Sequence, residues 1–228
     1  MLAAPSMTRT DPARTEGARP LRTEQEQFWL GEFGREYMQR NVGEKLVTAN
    51  TTLFGRILRC APGVRSVAEL GCNIGLNLQA LHRIDDTLRL TGWEINPQAA
   101  ERARQLGIAD VRCGTVLDEL SDQVPVTERF DLTFTKTVLI HIHPDQLDRV
   151  YRNLVALSSR YVMVCEYYNP TPVTVRYRGN DERLFKRDFA GELIDRHGLR
   201  LLDYGFAYHR DAYFPHDDLS WFLLEKTR

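Results

Sequence analysis

The stretch Val67-Ala68-Glu69-Leu70-Gly71-Cys72-Asn73-Ile74-Gly75 decides the fold. It begins as an apolar strand and runs into a glycine-bracketed turn that opens the next amphipathic segment. Gly71 and Gly75 let the backbone turn tightly and approach a ligand closely, and Asn73 tolerates positive φ. In open α/β sheets, ligands bind at the carboxyl ends of the strands, beside the point where strand order reverses. A loop of this kind belongs there.

Downstream of this loop, strands and helices alternate. Residues 65–70, 88–95, 109–113, 129–135 and 161–168 read as strands. Helices are expected over 75–83, from Pro97 onward, and from Pro144 to about 157, proline being suited to a first helical turn. Such alternation implies a parallel sheet with right-handed crossovers. Residues 199–209 and 219–226 break it, being two strand-like runs with no room for a helix between them, so an antiparallel hairpin at one sheet edge is expected. The expected fold is therefore α/β and Rossmann-like: five parallel strands plus an antiparallel terminal hairpin, with helices on both faces.

Upstream, Thr23 and Glu26 form a capping-box pair ahead of Phe28, Trp29, Phe33 and Tyr37 at helical spacing, and a second amphipathic stretch runs over about 44–59. Residues 1–21 carry three prolines and almost no large apolar side chains, which predicts a disordered tail. The rest of the 228 residues, 22–228, is expected to form one domain whose first part, 22–60, is a helical lid. Charge is balanced, with 30 basic and 31 acidic residues, which argues against nucleic acid as partner. No apolar run is long enough to span a membrane. The four cysteines, Cys60, Cys72, Cys113 and Cys165, form no CxxC pair and read as reduced thiols of a cytoplasmic protein.

Glu94 ends the second strand, about 25 residues beyond Glu69, where a carboxylate can accept both hydroxyls of a ribose. A nucleotide-type ligand is the implication. The G-x-G-x-x-G that cradles pyrophosphate is missing, and the loop instead begins with an acid. That acid repels pyrophosphate and suits a cation. S-adenosylmethionine, with a sulfonium, an ammonium and no phosphate, fits better than NAD. An NAD-linked oxidoreductase and a non-catalytic nucleotide-binding module remain as rival readings.

ELGCNIG, the acid in GWEIN and the strand order resemble the class I S-adenosylmethionine-dependent methyltransferases. More narrowly, FWLGEFGREYMQRN, GCNIGLNL, EYYNPTPVTVRYRG, LFKRDFAGE, YGFAYHRD and WFLLEK resemble the pseudaminic acid biosynthesis-associated methylases, from about Thr23 to Lys226. The resemblance implies S-adenosylmethionine as cofactor and a neighbourhood in nonulosonic acid sugar biosynthesis. It places Glu69, Gly71, Cys72, Asn73, Gly75 and Asn77 around the methionine and ribose parts. Glu94 takes the ribose diol and Ile95 lies beside the adenine. Gly114, Thr115 and Val116 stand where many members have an acid for the adenine amine, and Lys136 and Thr137 reach the cofactor from the fourth strand.

The acceptor should lie beyond the fourth and fifth strands. His141 is the candidate general base, because imidazole titrates near neutral pH; the competing reading is a helix-entry histidine bonded to backbone. Tyr167, Tyr168 and Asn169 could wall a polar acceptor, and Trp29, Tyr37, Arg40 and Asn41 could form the lid. Arg176, Arg178, Lys186 and Arg187 bring several cations into one loop, pointing to an anionic small-molecule acceptor. His209, Asp211, His216, Asp217 and Asp218 cluster in the final turn, but methyl transfer requires no metal and none is expected.

Overall fold

The computed structural model describes residues 23–40, 43–177 and 179–227. The expected tail over 1–21, Asn41 and Arg178 lie outside them. Three helices come first, α1 (Glu24–Leu30), α2 (Glu32–Arg40) and α3 (Glu44–Leu58). The alternating part is β1 (Ser66–Leu70), α4 (Leu76–Ile84), β2 (Arg89–Glu94), α5 (Pro97–Arg104), β3 (Asp110–Cys113), β4 (Phe130–Lys136), α6 (Leu147–Leu157) and β5 (Ser158–Glu166). A hairpin of β6 (Val173–Tyr177) and β7 (Asn180–Lys186) follows, then α7 (Phe189–His197), β8 (Leu199–Ala207) and β9 (Leu219–Lys226).

The main sheet has the order β3-β2-β1-β4-β5-β9-β8. The first five strands are mutually parallel, and β9 lies antiparallel between β5 and β8. From β1 the chain builds outward to β2 and β3, then crosses back to β4 on the other side. The reversal between β1 and β4 opens a crevice at their carboxyl ends. Fully buried strands such as β1 need apolar cover on both faces. On one face, Phe54 and Ile57 of α3 and Leu78 and Leu81 of α4 pack on Val67, Phe134, Met163 and Trp221. On the other, Tyr151 and Leu154 of α6 and Leu193 of α7 cover Leu70, Val162 and Val164. Each large side chain so buried stabilises the fold by about 1.5–3 kcal/mol. None of the described helices is long and apolar enough to cross a membrane.

Four differences from the sequence reading bear on the site. The first aromatic helix is two helices: Gly31 takes an extended ψ of −159° and stops α1, and α2 restarts behind it. Gly34 then lets α2 fold back, since a Cβ there would stand 1.9 Å from the Trp29 carbonyl oxygen. Of the expected 22–60 lid, α3 is a core helix of the sandwich. The segment after the fifth strand is not a loop but the β6–β7 hairpin. The fifth strand itself runs from Ser158 to Glu166, stopping short of Tyr168, because Glu166 turns its carboxylate onto a neighbouring loop.

Candidate active site

The loop after β1 is shaped by what crowds it. Gly71 has φ +86°, and a Cβ there would lie 2.6 Å from a Val138 methyl, so the loop and the turn after β4 meet at van der Waals range. The Gly71 and Cys72 amides both donate to the Trp93 carbonyl, at 2.8 and 2.9 Å. Asn73 has φ +48°, and its amide donates to Glu94 Oε2 at 2.8 Å. The other carboxylate oxygen of Glu94 accepts from the Asn96 amide at 2.7 Å. Two backbone donors thus fix the Glu94 carboxylate, while burial lifts its pKa above the usual range. Each oxygen keeps a further lone pair for a ligand. Glu69 is fully buried behind the loop, where Asn77 Nδ2 donates to its Oε1 at 2.6 Å. Desolvation pushes its pKa up to about 8, against the pull of Asn77 and of the Lys136 charge.

The turn after β4 is the second wall. Thr137 has φ +56°, a conformation that strains a β-branched residue and persists only where its surroundings enforce it. Its amide donates to the Cys165 carbonyl at 2.9 Å. Glu166 Oε1 accepts from the Val138 and Leu139 amides, each at 3.1 Å, and Oε2 from the Ile140 amide at 3.4 Å. Burial drives this carboxyl up to about 7 despite those donors. The turn presents His141, whose Nδ1 lies 2.8 Å from the Arg183 carbonyl oxygen of β7. A carbonyl only accepts, so Nδ1 carries the hydrogen and the Nε2 lone pair is free. Burial lowers the His141 pKa to about 4. The near-neutral titration expected from the sequence therefore does not hold; the ring is neutral at pH 7 and a weak base. The backbone-bonded histidine weighed as the competing reading is thus present as well.

Helices α1 and α2 pack against both walls. Thr23 and Glu26 form the capping box, with the Thr23 amide donating to Glu26 Oε2 at 2.9 Å and the Glu26 amide to Thr23 Oγ1 at 3.1 Å. Glu26 has a second duty, accepting the Thr115 hydroxyl at 2.6 Å. Asn96 Nδ2 donates to the Trp29 carbonyl at 3.2 Å, and Arg183 pairs with Glu24 at 3.0 Å. The Trp29 ring lies edge-on to His141 at 4.8 Å and to Tyr37 at 5.1 Å.

These elements enclose a cavity of about 220 Å³. Its lining includes Gly71, Cys72, Asn73, Asn77, Glu94, Ile95, Thr115, Val116, Lys136, Thr137, His141, Trp29 and Tyr37. Glu69, Gly75 and Gly114 stand outside the lining. The expected acceptor loop is elsewhere. Arg187 pairs with Glu192, Arg176 donates to the Gly179 carbonyl, and Lys186 lies 5.1 Å over the Tyr167 ring. Arg40 lies over Phe33 on an exposed face of α2, and Tyr168 packs on Phe222. Asn169 bonds the Thr171 carbonyl at 2.5 Å. None of these lines the cavity. The sequence reading missed Glu26 as a wall residue, Asn50 of α3, and the Pro215–Asp217 turn between β8 and β9. The capping box was the visible signal for the first; the others depend on distant chain. In that turn His209 pairs with Asp218 at 2.8 Å, and no described cluster of His, Cys, Asp or Glu could hold a metal ion.

The architecture is a Rossmann-like α/β sheet, with the cavity at the topological switch point. Residues 67–159 match the family model of a methyltransferase domain. Among solved structures, the chain is similar to a magnesium protoporphyrin IX methyltransferase from Synechocystis PCC 6803 with S-adenosylhomocysteine bound (11% identity, TM-score 0.63, 89% of this chain and 97% of that one). It is similar to the mitomycin 7-O-methyltransferase (16%, TM-score 0.62, 90% of this chain and 61% of that one). It is also similar to a SAM-dependent methyltransferase from Archaeoglobus fulgidus (11%, TM-score 0.61, 86% and 100%). At these identities the likeness establishes the fold. No curated protein sequence matches the chain.

Proposed function

We propose that this chain is an S-adenosylmethionine-dependent methyltransferase acting on oxygen or nitrogen of a small polar acceptor. The observation that carries the reading is the Glu94 carboxylate, held by the Asn73 and Asn96 amides and presented to the cavity one strand beyond a two-glycine loop. That arrangement suits a ribose diol, and the loop lacks the G-x-G-x-x-G that cradles pyrophosphate. The methyltransferase model over residues 67–159 supports the same reading, as do neighbours described with S-adenosylmethionine or its product.

S-adenosylmethionine supplies a methyl group already activated by its sulfonium. The protein's part is alignment and exclusion of water. In the transfer, an acceptor lone pair forms the new bond to the methyl carbon as the carbon–sulfur bond breaks, its electron pair returning to sulfur. The acceptor's proton leaves to base or solvent. His141, neutral with Nε2 free, accepts a hydrogen bond from the acceptor and orients it, and Trp29 and Tyr37 roof the reacting groups. The anionic character expected of the acceptor loses its footing in the β6–β7 segment, whose described cations are engaged within the fold, so we propose a polar acceptor without that restriction. The resemblance to the pseudaminic acid-associated methylases favours a sugar or sugar-like acceptor in the cytoplasm.

Calorimetry with S-adenosylhomocysteine and with NAD tests the cofactor, binding of the former alone being expected. Binding of NAD without S-adenosylhomocysteine overturns the reading. Incubation of a metabolite extract with S-adenosylmethionine should yield a product heavier by one CH2 unit. Cofactor binding with no such product favours a binding module instead.

A further inference from the structure

The sheet face that α6 and α7 cover runs out, at the β8 edge, into an open aromatic row. On that face the helices cover Val162 and Val164 of β5 and Leu224 of β9. Leu224 pairs with Leu201 of β8, and Phe222 of β9 with Tyr204, so these four side chains share the face. The irregularity between Leu201 and Asp203 keeps Leu201 and Tyr204 in step on it. Phe206, two residues after Tyr204, follows on the same side, and its ring lies 6.1 Å from that of Tyr208. Tyr204 stacks on Phe222 at 6.3 Å, and Tyr168, from the chain after β5, reaches Phe222 at 5.9 Å.

Tyr204 is 64% exposed and Phe206 54%, and Tyr208, Tyr168 and Leu201 are exposed as well. An aromatic side chain presents about 150–250 Å², so these five leave about 500 Å² open to water. The largest apolar patch of an ordinary monomer is about 300–600 Å² and often has a function. A standard interface buries about 800 Å² on each partner, a little over half of it apolar. The row supplies that apolar share by itself. β8 is also the last strand of the sheet, with no strand beyond it among the described residues. Charge or proline guards many exposed edges, yet this one carries neither from Tyr204 to Tyr208. None of the six side chains of the row is charged, so the surface meets a copy of itself without repulsion, as a twofold contact requires. None of the six lines the cavity.

We propose that this row is the contact of a homodimer, in which Tyr204 and Phe206 of one chain pack on the same row of a second copy about a twofold axis. Because the row lies outside the cavity, the proposal stands or falls separately from the methyltransferase reading.

Sedimentation velocity over a dilution series of the full chain supplies the test. Interfaces of this size dissociate at micromolar concentrations or below, so the wild-type chain should sediment as a dimer that comes apart on dilution. Phe206→Glu should raise the dissociation constant about tenfold or more, and Tyr204→Ser should raise it less. Val126→Glu, an exposed position outside the row, should leave it unchanged. Amide hydrogen exchange of the wild-type chain, which needs no variant, should show β8 more protected in the concentrated sample than in the dilute one. A wild-type chain that stays monomeric throughout overturns the proposal, as does a dimer whose β8 exchange ignores dilution or whose dissociation ignores Phe206→Glu. A monomer that cosediments with phosphatidylcholine–phosphatidylglycerol vesicles also overturns it and gives the row to lipid.

Discussion

The hydroxyl of Thr115, on the loop after β3, donates to the Glu26 carboxylate at the start of α1 across 2.6 Å. One acidic side chain thereby completes the N-terminal capping box of α1 and fastens that helix to the loop expected to face the adenine. Glu26→Ala should remove both contacts at once. Glu26→Ala removes the reciprocal half of the capping box, so faster amide hydrogen exchange in the first turn of α1 and weaker S-adenosylhomocysteine binding are expected. Thr115→Val should weaken binding while leaving α1 exchange near that of the wild type. Identical exchange in all three chains would remove the latch.

Glu94→Gln keeps the shape of the side chain and removes its charge. It should weaken S-adenosylhomocysteine by about 1–3 kcal/mol, the range for hydrogen bonds to a charged group. Unchanged affinity by calorimetry would take Glu94 out of the site.

Gly71→Ala meets two penalties, a positive φ and a methyl 2.6 Å from Val138. A thermal midpoint several degrees lower, corresponding to about 1–3 kcal/mol, is expected, together with loss of ligand binding. A midpoint equal to that of the wild type would mean that the loop relaxes freely.

These residues also show what the sequence could reveal. The glycine loop, Glu94, and Asn96 capping a helix opened by Pro97 depend on neighbours close in the chain, and local chemistry betrays them. The antiparallel edge was visible because two strand runs followed each other without a helix. Asn50 and the Pro215–Asp217 turn were not, because contacts such as His216 to Ala49 join positions 167 residues apart. The cations of the β6–β7 segment misled for a related reason. Arg187 looks available in the chain, and only the fold brings Glu192 and Tyr151 together beside it.

Glu69 gives a proton-linked prediction. Its folded pKa of about 8 lies above its ordinary value, so at pH 7 the free protein holds it largely protonated. A cationic ligand head favours the ionised form, and binding should therefore release a proton. Calorimetry in buffers of differing ionisation enthalpy measures this release, and Glu69→Gln should abolish it. A binding enthalpy independent of buffer would count against a cationic ligand lying beside Glu69.

His141 and His216 work in the opposite sense. Both are depressed to about 4 from the ordinary 6.5, so the unfolded chain binds more protons in between. Their contribution to stability is complete above pH 6.5 and is lost as pH falls toward 4. Denaturant midpoints should drop across that interval, and less so in His141→Ala, which should also lower turnover more than cofactor affinity. A pH profile unchanged by the substitution would place the acid sensitivity elsewhere.

The position of β9 has a consequence for synthesis. It follows β8 in the chain, yet it lies inside the sheet, between β5 and β8, and the turn that precedes it lines the cavity. A nascent chain that has cleared the ribosome only as far as α7 already holds the glycine loop, Glu94 and His141. It still exposes the open edge of β5 and lacks one side of its ligand chamber. Ligand capture during translation must therefore wait for β9, and until then the unpaired edge of β5 is the place where a holdase chaperone would be needed.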